Sequence, residues 1–242
     1  AILTLNTVAN TVGAAGVASD TNADTFNDLV TWDFGSVLNT PDGVIDENDE
    51  ITFEVVAVVL DQPLNQGGVS DQLNEATLTT STGSISGTAG IDLVEPEVQI
   101  RKSVTDPADG FVDAGDTITV LLEIDHEDLS TADAFNLVIA DTLPAGLSWV
   151  ADGTVTSTCT GLVTDSTSAP VIGFSWPTLD LTTDICTIEY QLSVDNDVLA
   201  NDSLSNVAEL DYTSTPVVVP GQTRTGMSSS SATVNVRGPG LV

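Results

Sequence analysis

Lys102 is the only lysine of the chain, and it falls in phase with Val98, Ile100 and Val104 in a run whose alternate residues are apolar. With a two-residue period its side chain shares their face and points into a core. A buried ammonium without a partner is costly. Asn206 is likewise in phase with Leu204, Ala208 and Leu210, and Asp141 with Leu137, Ile139 and Leu143. An inward amine, amide and acid on three strands make up the set for an amide-forming condensation. Burial raises the carboxyl's affinity for its proton and lowers that of the amine, so a protonated acid polarises the amide while a neutral amine attacks it. Glu123 is a weaker candidate for the acid, being out of phase with Ile118, Val120, Leu122 and Ile124. The alternative is that Lys102 reaches an edge and pairs with one of many acids while Asn206 hydrogen-bonds a turn.

A second constellation is a pair of acidic turns. Asp42-Gly43-Val44-Ile45-Asp46-Glu47-Asn48-Asp49 matches Asp109-Gly110-Phe111-Val112-Asp113-Ala114-Gly115-Asp116. Carboxylates clustered on a tight turn suit Ca²⁺, with glycine permitting the bend, although the ligand spacing and terminal Glu of an EF-hand loop are absent. Candidate ligands are Asp42, Asp46 and Asp49 in the first turn and Asp109, Asp113 and Asp116 in the second. The alternative is that Asp and Gly serve here as ordinary turn formers. Cys159 and Cys186 are the only cysteines; the simplest reading is one disulfide, the alternative two free buried thiols. His126 is the only histidine and sits in an acidic turn, so no nucleophile with a base beside it presents itself, and a non-enzymatic role is expected.

The elements that must position these residues are strands. Val, Ile, Leu, Thr and Ala dominate, while Lys, Arg, Gln and Met are scarce, which is a β composition. Cys186-Thr187-Ile188-Glu189-Tyr190-Gln191-Leu192-Ser193-Val194 alternates without a break, and similar runs span Ile51 to Leu60, Val98 to Val104, Thr117 to Ile124, Phe135 to Ile139, Ser205 to Tyr212 and Ala232 to Val236. Turn formers separate them. The expected class is all-β, with antiparallel sheets packed face to face.

Three matched segments reveal a duplication. Trp32-Asp33-Phe34-Gly35-Ser36-Val37 pairs with Phe174-Ser175-Trp176-Pro177-Thr178-Leu179, Ile51-Thr52-Phe53-Glu54-Val55 with Cys186-Thr187-Ile188-Glu189-Tyr190, and Asn74-Glu75-Ala76-Thr77-Leu78 with Asn206-Val207-Ala208-Glu209-Leu210. Trp32, Phe34, Phe174 and Trp176 recur at equivalent positions and read as core. The strands from Val98 to about Val150 have no counterpart before Trp32. Residues 1–94 therefore read as a partial repeat without its opening strands, 95–236 as a complete one, and 237–242 as a linker or the start of another. The expectation is a chain stable only within a longer polypeptide or a fibre, its open edges filled by strand addition.

Arg101-Lys102-Ser103-Val104, Asp113-Ala114-Gly115-Asp116-Thr117-Ile118-Thr119-Val120, Asn136-Leu137-Val138-Ile139-Ala140-Asp141-Thr142-Leu143-Pro144-Ala145-Gly146-Leu147 and Leu204-Ser205-Asn206-Val207-Ala208 resemble the "conserved repeat domain" of prokaryotic surface proteins, domain of unknown function eleven. That resemblance implies tandem immunoglobulin-like antiparallel β-sandwiches. The inward Lys, Asn and acid are similar to the set that forms spontaneous intramolecular isopeptide bonds in Gram-positive pilins and adhesins.

The balance of 4 basic against 36 acidic residues gives a net charge of −32. Such a surface repels phosphate backbones and anionic lipid, which excludes nucleic acid as a partner and favours cations, Ca²⁺ among them. No apolar run is long enough to span a bilayer, and the start Ala1-Ile2-Leu3-Thr4 lacks the basic residues of a secretion signal. The expected role is an extracellular or cell-surface structural segment that associates with itself or with neighbouring repeats. The alternative is an adhesin-type module whose loops bind glycan or protein.

Overall fold

The computed structural model describes residues 3–10, 13–21, 27–37, 42–46, 50–63, 65, 72–150, 155–165, 169–182 and 185–238. Among them there is no helix, so none that is long and apolar enough to cross a membrane. The chain divides into two units, Ala1–Leu93 with Val219–Gln222, and Val94–Val218 with Thr223–Val242.

The second unit is a sandwich. One sheet has the order β11 (Leu147–Trp149), β15 (Cys186–Val194), β9 (Thr117–His126) and β7 (Val98–Asp106), with β12 (Thr156–Ser157) also on β15. The other runs β13 (Val163–Asp165), β14 (Val171–Leu179), β10 (Ala134–Thr142), β16 (Ser203–Thr213), β17 (Thr225–Val236) and β8 (Phe111–Val112). All pairings are antiparallel except β17 with β8. In chain order β7, β9, β10, β15, β16 and β17 stand where strands A, B, C, E, F and G stand in an immunoglobulin sandwich, with A-B-E on one sheet and C-F-G on the other. Period-two burial makes the core: Ile118, Val120, Leu122 and Ile124 from β9 meet Leu137 and Ile139 from β10, Phe174 and Trp176 from β14, and Leu204, Ala208 and Leu210 from β16.

β7 lies at the rim of its sheet, where alternate N–H groups face away from β9. Three of them are taken up by hydroxyls of the opposite sheet. Val98 N–H donates to Tyr212 Oη (3.1 Å), Ile100 N–H to Ser228 Oγ (3.1 Å) and Lys102 N–H to Ser230 Oγ (3.0 Å). Gly226 lies opposite Tyr212 in the β16–β17 ladder, and a Cβ there would collide with the Tyr212 ring.

The first unit consists of three two-stranded antiparallel sheets: β1 (Leu3–Asn10) with β4 (Phe53–Val59), β2 (Gly16–Ser19) with β3 (Leu29–Trp32), and β5 (Gln72–Thr80) with β6 (Gly83–Ile91). The registers of β1 with β4 and of β5 with β6 repeat those of the second unit. Leu3 lies opposite Val59 as Leu147 lies opposite Val194, Asn10 opposite Phe53 as Ser157 opposite Ile188, and Asn74 opposite Ala89 as Asn206 opposite Ala232. Thus β1 corresponds to β11 with β12, and β2 to β6 correspond to β13 to β17. Among the described residues nothing in this unit corresponds to β7 through β10. Trp32 and Phe34 are half-buried and stack on Phe53, with centroids 5.0 and 5.4 Å away.

Candidate functional site

Asp141 on β10 and Asn206 on β16 are diagonal neighbours on the inner face of one sheet, because Asp141 pairs with Ala208 in the ladder. Lys102 reaches them from β7 on the facing sheet. Its Nζ donates to Asp141 Oδ1 at 2.5 Å, and both side chains are fully excluded from solvent. Asn206 Nδ2 donates to Asp141 Oδ2 at 3.4 Å, while Asn206 Oδ1 is buried with no hydrogen-bond partner. The hydroxyl of Tyr190, on β15, also donates to Asp141 Oδ2. Glu123 faces the other way and lies 3.9 Å from Arg101.

Burial drives the two ionisable groups toward neutrality. It lowers the Lys102 ammonium from its ordinary 10.5 to about 8, against the opposing pull of Asp141. It raises the Asp141 carboxyl, against the charge and hydrogen bond of Lys102. Transfer of one proton from Nζ to Asp141 removes both buried charges and leaves a neutral amine beside a carboxylic acid. Half a turn of the Asn206 amide would place its oxygen against that acid, which then donates to it and makes the amide carbon electrophilic. Condensation would join Nζ to Cγ of Asn206 and expel the amide nitrogen as ammonia. A buried ion pair is in itself weak evidence for stability, since well-packed apolar residues do as well or better. The set Lys102, Asp141, Asn206 and Tyr190 thus brings an amine, a carboxyl, an amide and a phenol hydroxyl into one buried cluster.

Tyr190 is the member that alternation alone did not single out, since an inward tyrosine on β15 reads as core. The available signal was its hydroxyl, which in a core must find a partner.

The other sequence candidates are placed elsewhere. Cys159 and Cys186 form a disulfide that ties the segment after β12 to the start of β15. In the turn 109–116, Asp109 Oδ1 accepts from Phe111 N–H and Asp116 Oδ2 from Asp113 N–H. Asp109 and Asp113 both lie 3.3 Å from the Arg237 guanidinium, which supplies the positive charge there. This arrangement does not fit a calcium cage drawn from the three carboxylates. In the other turn Asp42 Oδ1 accepts from Val44 N–H, and Asp49 lies outside the described residues. No group of three metal-ligating side chains occurs among the described residues. His126 is structural: Nε2–H donates to the Leu179 carbonyl at 3.1 Å, and Nδ1 shares a hydrogen bond with the Ser130 hydroxyl at 2.7 Å.

The sequence matches no family model and no curated protein. Several solved structures are similar to it. The 35 kDa C-terminal fragment of the major pilin GBS80 of Streptococcus agalactiae has 10% identity and a TM-score of 0.43, over 58% of this chain and 56% of that one. BcpA, the major pilin subunit of Bacillus cereus, has 14% identity and a TM-score of 0.41, over 82% and 52%. The collagen-binding subdomain of the Enterococcus faecalis surface protein ACE has 9% identity and a TM-score of 0.33, over 56% and 94%. The match spans about half the length of the two pilin structures.

Proposed function

We propose that this chain is a non-enzymatic structural segment of an extracellular surface or filament protein, and that its second unit is closed by an isopeptide bond between Lys102 and Asn206 with Asp141 as the proton-shuttling acid. The observation that carries this reading is the solvent-free contact of Lys102 Nζ with Asp141, beside a buried amide whose oxygen has no partner. Such a bond would join the first strand of the sandwich to its penultimate strand across the two sheets. The Cys159–Cys186 disulfide is in keeping with an oxidising compartment outside the cytosol. Divalent cations, Ca²⁺ among them, act in this reading by screening the acidic surface. Its partners are neighbouring repeats of the same kind.

The test is the intact mass of the reduced chain. Condensation releases ammonia, so the mass should lie about 17 Da below that of the sequence. Lys102→Ala and Asn206→Ala should each restore the sequence mass, and Asp141→Asn should do so while keeping both reacting groups. An unshifted mass in the parent chain sinks the bond. Stability alone does not decide, because Lys102→Ala also strands a buried carboxylate, which by itself costs about 3–5 kcal/mol.

A further inference from the structure

Asn74 occupies in β5 the place that Asn206 occupies in β16. Each lies opposite an alanine in the hairpin register, Ala89 and Ala232, and each is followed two residues on by another alanine, Ala76 and Ala208. Asn206 is buried, whereas Asn74 is exposed. The same contrast holds for its neighbours: Phe53, Val55, Leu78 and Ile91 are between 39% and 50% exposed, while their counterparts Ile188, Tyr190, Leu210 and Val234 are at 1% or below. In the second unit those counterparts are covered by β7, β9 and β10. β10 lies hydrogen-bonded between β14 and β16, and β9 lies on β15. In the first unit β3 and β5, the counterparts of β14 and β16, belong to separate two-stranded sheets, and β4, the counterpart of β15, pairs with β1 alone.

We propose that Asn74 is the acyl half of a second, split cross-linking site, completed by a half repeat of the Val98–Thr142 kind that brings a lysine and an aspartate in the positions of Lys102 and Asp141. The proposal rests on the reading of Lys102, Asp141 and Asn206 given above, and extends it from a bond within one sandwich to a bond between two polypeptide segments. The occupant is set by the register: a strand of the β10 kind joins β3 to β5, a strand of the β9 kind pairs with β4, and a strand of the β7 kind carries the amine over the inner face toward Asn74. The incoming Nζ bonds to Cγ of Asn74, the bond from Cγ to Nδ2 breaks, and ammonia leaves with a proton relayed by the incoming carboxyl. No oxidant or further reactant is required. One element differs, since Val55 stands where Tyr190 stands, so the incoming carboxyl lacks the tyrosine hydrogen bond and the second bond should form more slowly than the first.

The experiment places a copy of residues 94–144 directly ahead of Ala1 in the full chain, with Lys102→Arg at the original position so that the first site is silent. This joint sets Leu3 at the same distance from the copied strands as Leu147 has in the second unit. The expected result is a loss of about 17 Da, abolished by Asn74→Ala, together with amide-exchange protection of residues 72–91 that is absent from the parent chain. Protection without loss of mass means docking without a bond, and overturns the proposal. So does the absence of both, because it shows that these strands do not fill the first unit. If the parent chain loses about 17 Da while the extended Lys102→Arg chain loses none, the second site fails and the first stands. If neither chain loses mass, the reading of the first site fails as well.

Discussion

The Tyr190 hydroxyl and the Asp141 carboxylate meet across the interior of the sandwich, Tyr190 from β15 in one sheet and Asp141 from β10 in the other. Because Tyr190 donates to Oδ2 and Lys102 to Oδ1, the carboxyl is held with one oxygen committed to the amine. In the proposed condensation Tyr190 would act as a positioning residue. Tyr190→Phe should leave the bond able to form but slow it, and the time course of the mass shift after refolding reads this directly. Leaving a buried acceptor short of a donor should also cost about 1–3 kcal/mol, a loss measured by denaturant unfolding. Unchanged kinetics would remove Tyr190 from the site.

The depressed Lys102 gives a pH signature when the bond cannot form. In the Asn206→Ala chain the folded amine loses its proton at about 8 and the unfolded one at 10.5. Between those values the unfolded state binds more protons, so stability should rise with pH across that window, and the cost of burying the ammonium is fully present below it. In the parent chain the proposed bond would consume the amine, and this slope should then be missing. Urea unfolding at a series of pH values, with Lys102→Ala/Asn206→Ala as the reference, checks the sign.

Reduction of Cys159–Cys186 opens a loop whose ends are 27 residues apart. In the chain-entropy account such a link is worth about 3.5 kcal/mol. Cys159→Ala/Cys186→Ala should lower the unfolding midpoint accordingly while leaving the ammonia loss intact, since both cysteines lie outside the Lys102 cluster. A disulfide variant that no longer loses ammonia would show that the site needs the link for its geometry.

Calcium at a few millimolar should raise the melting temperature above that in chelator at matched ionic strength. In the parent chain the gain should be small, since it comes from screening while Arg237 holds Asp109 and Asp113; a site opened in Arg237→Ala, with a dissociation constant in the range of extracellular modules and filled about tenfold above it, would contribute roughly 1.4 kcal/mol. Arg237→Ala should enlarge the effect, because it frees Asp109 and Asp113 from the guanidinium. Superimposable curves for the parent chain and for Arg237→Ala would remove calcium from the picture.

Period-two alternation was enough to aim Lys102, Asp141 and Asn206 inward, because in a strand the face of a residue follows from its neighbours. It also kept Glu123 out. What it lacks is depth across the sandwich, so the meeting of Tyr190 with Asp141 was not legible from either strand alone. The Arg237 contacts to Asp109 and Asp113 were hidden for a similar reason, the partners being 128 and 124 residues apart. The duplication was readable from three segments, and the registers of β1 with β4 and of β5 with β6 carry it into the strand pairing. The exposure of Phe53, Val55 and Leu78 was not readable, since an apolar face looks the same in sequence whether or not strands cover it.

The hydroxyls of Tyr212, Ser228 and Ser230 have a consequence for how copies of this chain meet in crowded solution. By occupying the outward N–H groups of β7 they leave no donor ladder there for a stray strand, and a rim that would otherwise template aggregation is blunted without a charge or a proline. In β6 the places of Ser228 and Ser230 are held by Ile85 and Gly87, which offer no hydroxyl. The rim of β7 is thus filled from the opposite sheet by hydroxyls whose counterparts on β6 are missing.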